Sequence, residues 1–195
     1  MPSAPPCLCH AEAPADATRR KIIKITATGL AVPWALAGGS AHANKPMPGD
    51  RLVEDDAEGP PTPLRPSDLR PGKPLLAFPF DAAKGEARSD SRFNKVVLMR
   101  FAAAEMNAET LARSAGGVLA FSAICTHQGC DVKTWLAKER ALVCYCHSSK
   151  FTLLDGGNVI SGPATRALPA IALVLDGDHL VIAGAFTAAP GGSPA

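Results

Sequence analysis

A chain of 195 residues has room for one ordinary domain plus extra segments. Its formal charge of only +2, with no long basic run, excludes a nucleic-acid partner bound through charge. Aromatic residues make up 5% of the chain, against 17 glycines and 18 prolines, which favours a loop-rich β domain over a helical bundle.

The N-terminal residues 1–43 have the order of an export signal. Residues 18–24 (Thr-Arg-Arg-Lys-Ile-Ile-Lys) resemble a twin-arginine signal, and the weakly apolar stretch 25–37 and the cleavage-type Ala41-His42-Ala43 follow. The uncharged stretch approaches the roughly 20 residues of a membrane span, but its threonines, glycines and proline favour cleavage over anchoring. We expect a protein on the periplasmic side of the bacterial inner membrane, either soluble or anchored at its N-terminus.

The next segment, residues 44–74, is rich in proline and carries an acidic patch between Glu54 and Glu58. Proline lacks the amide proton that a helix interior or a central strand requires. We therefore predict a Pro-rich linker, an extended and semi-stiff tether without a central strand.

The predicted domain spans residues 75–187 and is followed by a flexible C-terminal tail at 188–195. Apolar runs predict strands over 75–78, 95–101, 118–124 and 141–143, a short helix over 105–113, and a closing hairpin over 171–183. Short strands separated by glycine and proline turns indicate an antiparallel all-β domain. Two of these strands lead directly into Cys125 and Cys144.

Two cysteine–histidine boxes contain four of the six cysteines. The first box, residues 125–130, reads Cys-Thr-His-Gln-Gly-Cys, and the second, residues 144–149, reads Cys-Tyr-Cys-His-Ser-Ser. Each box supplies one cysteine and one histidine at ligand spacing, plus one extra cysteine. Two thiolates and two imidazoles form the ligand set of a two-iron, two-sulfide cluster with histidines on one iron. In the second box Cys144 and His147 fit one turn, whereas the adjacent Cys146 and His147 do not easily face one site.

The boxes resemble those of exported Rieske proteins, including the Rieske subunit of quinol–cytochrome c reductase and the small subunit of arsenite oxidase. This resemblance implies a Rieske-type antiparallel β-sandwich with a small cluster-binding subdomain of two Cys/His loops and a proline loop at Gly162-Pro163-Ala164. It implies one 2Fe–2S cluster per chain, with Cys125 and Cys144 on one iron and His127 and His147 on the other. It also implies that a Cys130–Cys146 disulfide clamps the two loops together.

By the same resemblance four further residues surround the cluster: Gly129, Ser149, Phe151 and Pro163. Ser149 matches a serine whose hydroxyl donates to a bridging sulfide, whereas Phe151 stands where respiratory members have a tyrosine that donates to a cysteine sulfur. These members usually have proline and glycine where this chain has Tyr145 and Ser148. Because one hydrogen-bond donor to sulfur is missing, we expect a reduction potential below that of the tyrosine-bearing relatives.

The resemblance implies an electron-transfer subunit rather than a stand-alone catalyst, so no catalytic residue is predicted. The preferred hypothesis is an exported subunit that passes single electrons, with or without protons, to a c-type cytochrome or similar acceptor. It works with a redox partner subunit and, in a membrane complex, with quinol. The alternative is a small relay subunit of a periplasmic molybdenum oxidoreductase such as arsenite oxidase.

Two other interpretations fit the sequence less well. A Rieske ferredoxin of an oxygenase system would have neither the export signal nor the spare cysteine pair. A zinc site in the boxes would leave that pair and the proline loop without a role.

Overall fold

The structure is a computed structural model that describes residues 45–192. The predicted export signal at 1–43 lies outside the described residues. Within 45–192, no helix is long and apolar enough to cross a membrane.

Short β-strands dominate the described part of the chain. The strands are β1 (Arg51–Glu54), β2 (Leu75–Asp81), β3 (Glu86–Ala87), β4 (Val96–Arg100), β5 (Val118–Ser122), β6 (Thr134–Leu136), β7 (Ala141–Cys144), β8 (Ser149–Thr152), β9 (Asn158–Ser161), β10 (Ala170–Ile171), β11 (Leu173–Asp176) and β12 (His179–Ile182). The α-helix in this range is α1 (Ala108–Ala112), and 3-10 turns lie at Pro66–Asp68, Arg92–Asn94 and Ala103–Glu105. The antiparallel all-β prediction is confirmed.

The strands form a large sheet and a small sheet, both with antiparallel pairing. The large sheet has the order β10-β5-β4-β2-β1-β12-β11, with β3 paired to β2, and the small sheet has the order β6-β7-β8-β9. The two boxes lie at the ends of β5 and β7, so the first box follows a strand of the large sheet and the second belongs to the small one. The predicted strands and the closing hairpin lie where the sequence places them, within a few residues.

Side chains along β4 alternate between two cores, as the two-residue period of a strand requires. Val97 faces one core and Val96 the other. The first core also contains Leu142 of β7 and Phe151 of β8, so it lies between the two sheets. The second core, which includes Leu52 of β1, is enclosed by strands of the large sheet. The cluster-binding region is therefore joined to the large sheet by a shared apolar core.

The segment 44–74, which was predicted to be an extended tether, contributes a strand to the large sheet. Its strand β1 lies in the interior of the large sheet and pairs with both β2 and β12. The prolines of the segment flank β1 and none lies within it, so the backbone amides of residues 51–54 remain available for pairing. Leu52, Leu64 and Leu69 are buried in the second core, and burial of such a side chain contributes about 1.5–3 kcal/mol. The prediction that this segment contains no central strand is wrong.

A buried ion pair also fixes the start of the domain. Nε of Arg88 donates to the Asp50 carboxylate at 2.7 Å, and Nη2 donates to Asp81 at 3.2 Å. The hydrogen bond to Asp50 raises the pKa of the Arg88 guanidinium. The residues before β1 are therefore held by charge as well as by apolar packing.

The predicted helix over 105–113 is shorter in the structure. It is divided into the 3-10 turn Ala103–Glu105 and α1, because the Asn107 side chain caps α1 by accepting from the Thr110 N–H at 2.7 Å. The buried Thr110 hydroxyl in turn accepts from the Gly156 N–H at 2.8 Å. The helix thus begins at its cap and packs beside the turn between β8 and β9.

Candidate metal centre

The first box is a tight loop that begins two residues after β5. The Cys125 N–H donates to the Cys130 carbonyl at 2.7 Å, and the Gly129 N–H donates back to the Cys125 carbonyl at 3.0 Å. The Arg92 side chain holds this loop from outside, since it donates to the Gly129 carbonyl and to Asp131. These bonds close the loop on itself and leave the Cys125 thiol buried.

The second box is the tip of the hairpin between β7 and β8. Cys144 and Ser149 are paired across the two strands, so the four residues between them form the turn. Ser148 adopts a left-handed φ of +60°, a conformation that glycine reaches with less strain than serine. The turn points Tyr145 and His147 to the surface while Cys144 stays buried at its base.

In the structure the predicted ligands of the two boxes meet in pairs, histidine with histidine and cysteine with cysteine. The His127 and His147 rings meet edge to face with centroids 4.7 Å apart. Cys125 and Cys144 are free thiols with 1% and 2% exposure, and they contact each other through their side chains. The two boxes therefore present two thiols on the inner side and two imidazoles on the outer side.

The predicted disulfide is present beside these ligands. Cys130 and Cys146 are bonded, with Cα atoms 6.5 Å apart, so the end of the first box is tied to the middle of the second. The Sγ atoms of this pair and of Cys144 lie within 4.8 Å of one another. Because disulfide sulfurs carry no thiolate charge, they are poor ligands and serve as a clamp.

The polar atoms at the site fit a metal cluster better than an empty core. Burial is the main cause that raises the pKa of the Cys125 thiol, and the backbone N–H groups of His127 and Gln128 oppose it. A buried thiol becomes a thiolate only where a cation offsets its desolvation, as ferric iron does. Nδ1 of His127 is buried and has no hydrogen-bond partner within residues 45–192. These groups would hold a 2Fe–2S cluster through their sulfur and nitrogen atoms.

The proline loop packs directly on the second box. The Ala164 N–H donates to the Ser149 hydroxyl oxygen at 3.1 Å, which leaves the hydroxyl proton available to a cluster sulfur. A Cβ at Gly162 would lie 2.5 Å from the Ser149 Cα, so only glycine permits this approach. Pro163, between Gly162 and Ala164 in the chain, is exposed. The loop thus packs on Ser149 at the base of the second box.

Known proteins with similar sequences identify the family of the chain. The Rieske 2Fe–2S domain family matches residues 85–172, which include both boxes and the proline loop. The Rieske iron–sulfur subunit of the cytochrome bc1 complex of Streptomyces lividans is 34% identical over 128 residues, which cover 64% of this chain and 75% of that protein. The chain belongs to the Rieske 2Fe–2S family. Its cofactor is accordingly a 2Fe–2S cluster.

Other relatives are matched over a smaller part of their length. The corresponding subunit of Corynebacterium glutamicum is 31% identical over 161 residues, which cover 79% of this chain but 35% of that protein. The chain thus spans about a third of that longer relative. Among solved structures, the soluble domain of the Rieske protein II from Sulfolobus acidocaldarius is 25% identical and covers 46% of this chain and 60% of that one, with a TM-score of 0.35.

The sequence alone did not identify three residues that hold the first box. Arg92 bonds its Gly129 carbonyl, the Thr126 hydroxyl donates to the Arg166 carbonyl at 2.6 Å, and the Arg166 side chain reaches the C-terminal segment. The threonine inside the first box is the only local signal for these contacts, since both arginines lie far from it in the chain. The contacts arise from the fold.

Phe151 provides a test of the expected low potential. It is fully buried in the core that also contains Cys125 and Cys144. We expect Phe151→Tyr to raise the reduction potential, because a hydroxyl donating to a ligand sulfur stabilises the more negative reduced site. Protein-film voltammetry measures the shift. Phe78→Tyr, in β2 outside this core, is the control and leaves the potential unchanged, and an unchanged or lower potential in Phe151→Tyr contradicts the interpretation.

Proposed function

We propose that the chain is an exported Rieske subunit that passes single electrons to a c-type cytochrome or a similar acceptor, as in quinol–cytochrome c reductase. When bound, the cluster supplies one-electron redox chemistry at the potential that its ligands set. Cys125, Cys144, His127 and His147 would hold it. The twin-arginine pattern at residues 18–24 supports export after folding, which suits a protein whose cluster is inserted in the cytoplasm.

The observation that carries the proposal is the unequal exposure of the four ligands. The cysteines lie in the core, His127 is half-buried, and His147 is exposed at the hairpin tip beside Tyr145, which is 68% exposed. A partner can therefore approach through the imidazole of His147 without disturbing the buried sulfurs. In a quinol-oxidising complex the same exposed ring would accept the hydrogen bond of a quinol hydroxyl and then its proton.

A second candidate is the small relay subunit of a periplasmic molybdenum oxidoreductase such as arsenite oxidase. Phe151 in place of the respiratory tyrosine favours it, because a lower potential suits a relay that does not oxidise quinol. A Haloferax mediterranei protein is named as the Rieske subunit of a respiratory nitrate reductase. It is 39% identical over 79 residues, which cover 39% of this chain and 35% of that protein. Relatives of this chain are therefore named for complexes other than bc1.

Native purification from periplasmic and membrane fractions tests the proposal. We expect a Rieske-type EPR signal in the fraction that contains the chain, together with a membrane subunit that binds b-type haem. Co-purification with a large molybdenum-containing subunit instead would overturn the preferred function and support the second candidate. The mature N-terminus, sequenced from the same sample, shows whether cleavage follows Ala43.

A further inference from the structure

The C-terminal segment at residues 187–192 is docked on the first box. It was predicted as part of a flexible tail from residue 188 onward, of which residues 193–195 lie outside the described part of the chain. The Thr187 N–H donates to the Ala170 carbonyl at 2.8 Å, and the Ala170 N–H donates to the Thr187 hydroxyl at 3.0 Å. These bonds anchor one end of the segment, which we call the strap, at β10.

The other end of the strap lies against the backbone of a predicted ligand. Gly191 is buried beside Phe93 and Ile124, and a Cβ at Gly192 would lie only 2.5 Å from the His127 carbonyl oxygen. A side chain at residue 192 would therefore push the strap and the His127 backbone apart. The close approach therefore lies at the His127 backbone of the first box, while His147 at the hairpin tip stays exposed.

Arg166 joins the strap to the first box. Its Nη2 donates to the Gly191 carbonyl at 2.7 Å, and its own carbonyl accepts from the buried Thr126 hydroxyl at 2.6 Å. Arg166 also follows the proline loop in the chain, two residues after Ala164. One residue thus connects the proline loop, the first box and the strap.

We propose that Arg166 and Gly192 are positioning residues that hold the strap over the first box, fix His127 and keep water from its side of the cluster. Burial of that side disfavours the extra negative charge of the reduced site, because less water is available to solvate it. The strap therefore contributes to a low reduction potential, and it does so whichever partner complex the chain serves.

The test compares two glycine substitutions in the cluster-loaded protein. Gly192→Ala introduces the methyl group at the His127 carbonyl, whereas Gly184→Ala adds the same group where nothing lies within 4 Å. Because overpacking destabilises this contact, we expect roughly tenfold faster hydrogen–deuterium exchange at residues 125–130 in Gly192→Ala alone. The reduction potential of Gly192→Ala rises relative to the wild type and to Gly184→Ala.

A second pair of variants removes the strap contact without adding volume. Arg166→Met, which has no donor, accelerates exchange in the same residues, and Arg166→Lys restores slow exchange because an ammonium group can still donate to the Gly191 carbonyl. Exchange of residues 125–130 that matches the wild type in both Gly192→Ala and Arg166→Met overturns the proposal. Equal acceleration across the whole domain also overturns it, since that result indicates general destabilisation rather than a local role. Loss of the EPR signal in the wild type would instead count against the cluster itself.

Discussion

Cys144→Ser is expected to abolish the Rieske EPR signal and to reduce the iron content from about two atoms per chain to none. Cys144 is 2% exposed at the end of β7, and its sulfur lies beside both the Cys125 thiol and the disulfide. A serine hydroxyl is harder and far less acidic than a thiol, so it does not replace a thiolate on ferric iron. Iron and acid-labile sulfide analysis, with EPR of the reduced protein, measures the loss.

Ser149→Ala is the matched control for this change. Ser149 is paired with Cys144 in the hairpin and is equally buried, but its hydroxyl is predicted to donate to a sulfide rather than to bind iron. We expect this variant to keep its iron and to show a lower potential, because one donor to the cluster is lost. An iron-replete Cys144→Ser protein, or a wild type that holds one zinc ion and no sulfide, would contradict the ligand assignment.

The local part of the site could be predicted from the sequence because its signals are short. Cys125 and Cys144 each end an apolar run that forms a strand, and the ligand spacing within a box is set by one turn. The resemblance then implied the Cys130–Cys146 bond, which is present, and a proline loop, which packs on Ser149. A strand that leads into a ligand loop is visible in a window of about ten residues.

The parts that were missed depend on contacts between distant residues. Strand β1 is only four residues long, and Arg51 is paired with Val181 at the other end of the domain, so its proline-rich surroundings dominate the local signal. The strap was missed for the same reason. Its small residues indicate flexibility, whereas its bonds to Ala170 and Arg166 and its packing against the first box order it. Local composition predicts propensity, whereas tertiary contacts decide whether such a segment is held.

Removal of the Cys130–Cys146 disulfide is expected to have a large effect on the stability of the domain. Cys130 and Cys146 are 16 residues apart, and a crosslink that closes a loop of this size contributes about 3 kcal/mol in the chain-entropy treatment. For a domain of this size we expect Cys130→Ala/Cys146→Ala to lower the unfolding temperature by roughly 6–12 °C. The cluster should also be lost faster to a chelator, because the exposed hairpin tip that carries His147 is no longer tied to the first box.

Thermal unfolding with and without a thiol reductant distinguishes the contribution of the disulfide bond to stability from that of the packing of the two cysteine side chains. Reduction of the wild type opens the same loop without changing any residue, so its unfolding temperature should fall to that of the double variant. The double variant itself should not respond, because its remaining thiols in residues 45–192, Cys125 and Cys144, are not part of the crosslink. If the wild type is insensitive to reductant while the variant is destabilised, packing of the two sulfurs rather than loop closure stabilises the site. That result would also remove the disulfide as support for the proposed export, since a disulfide persists in an oxidising compartment whereas packing is independent of the compartment.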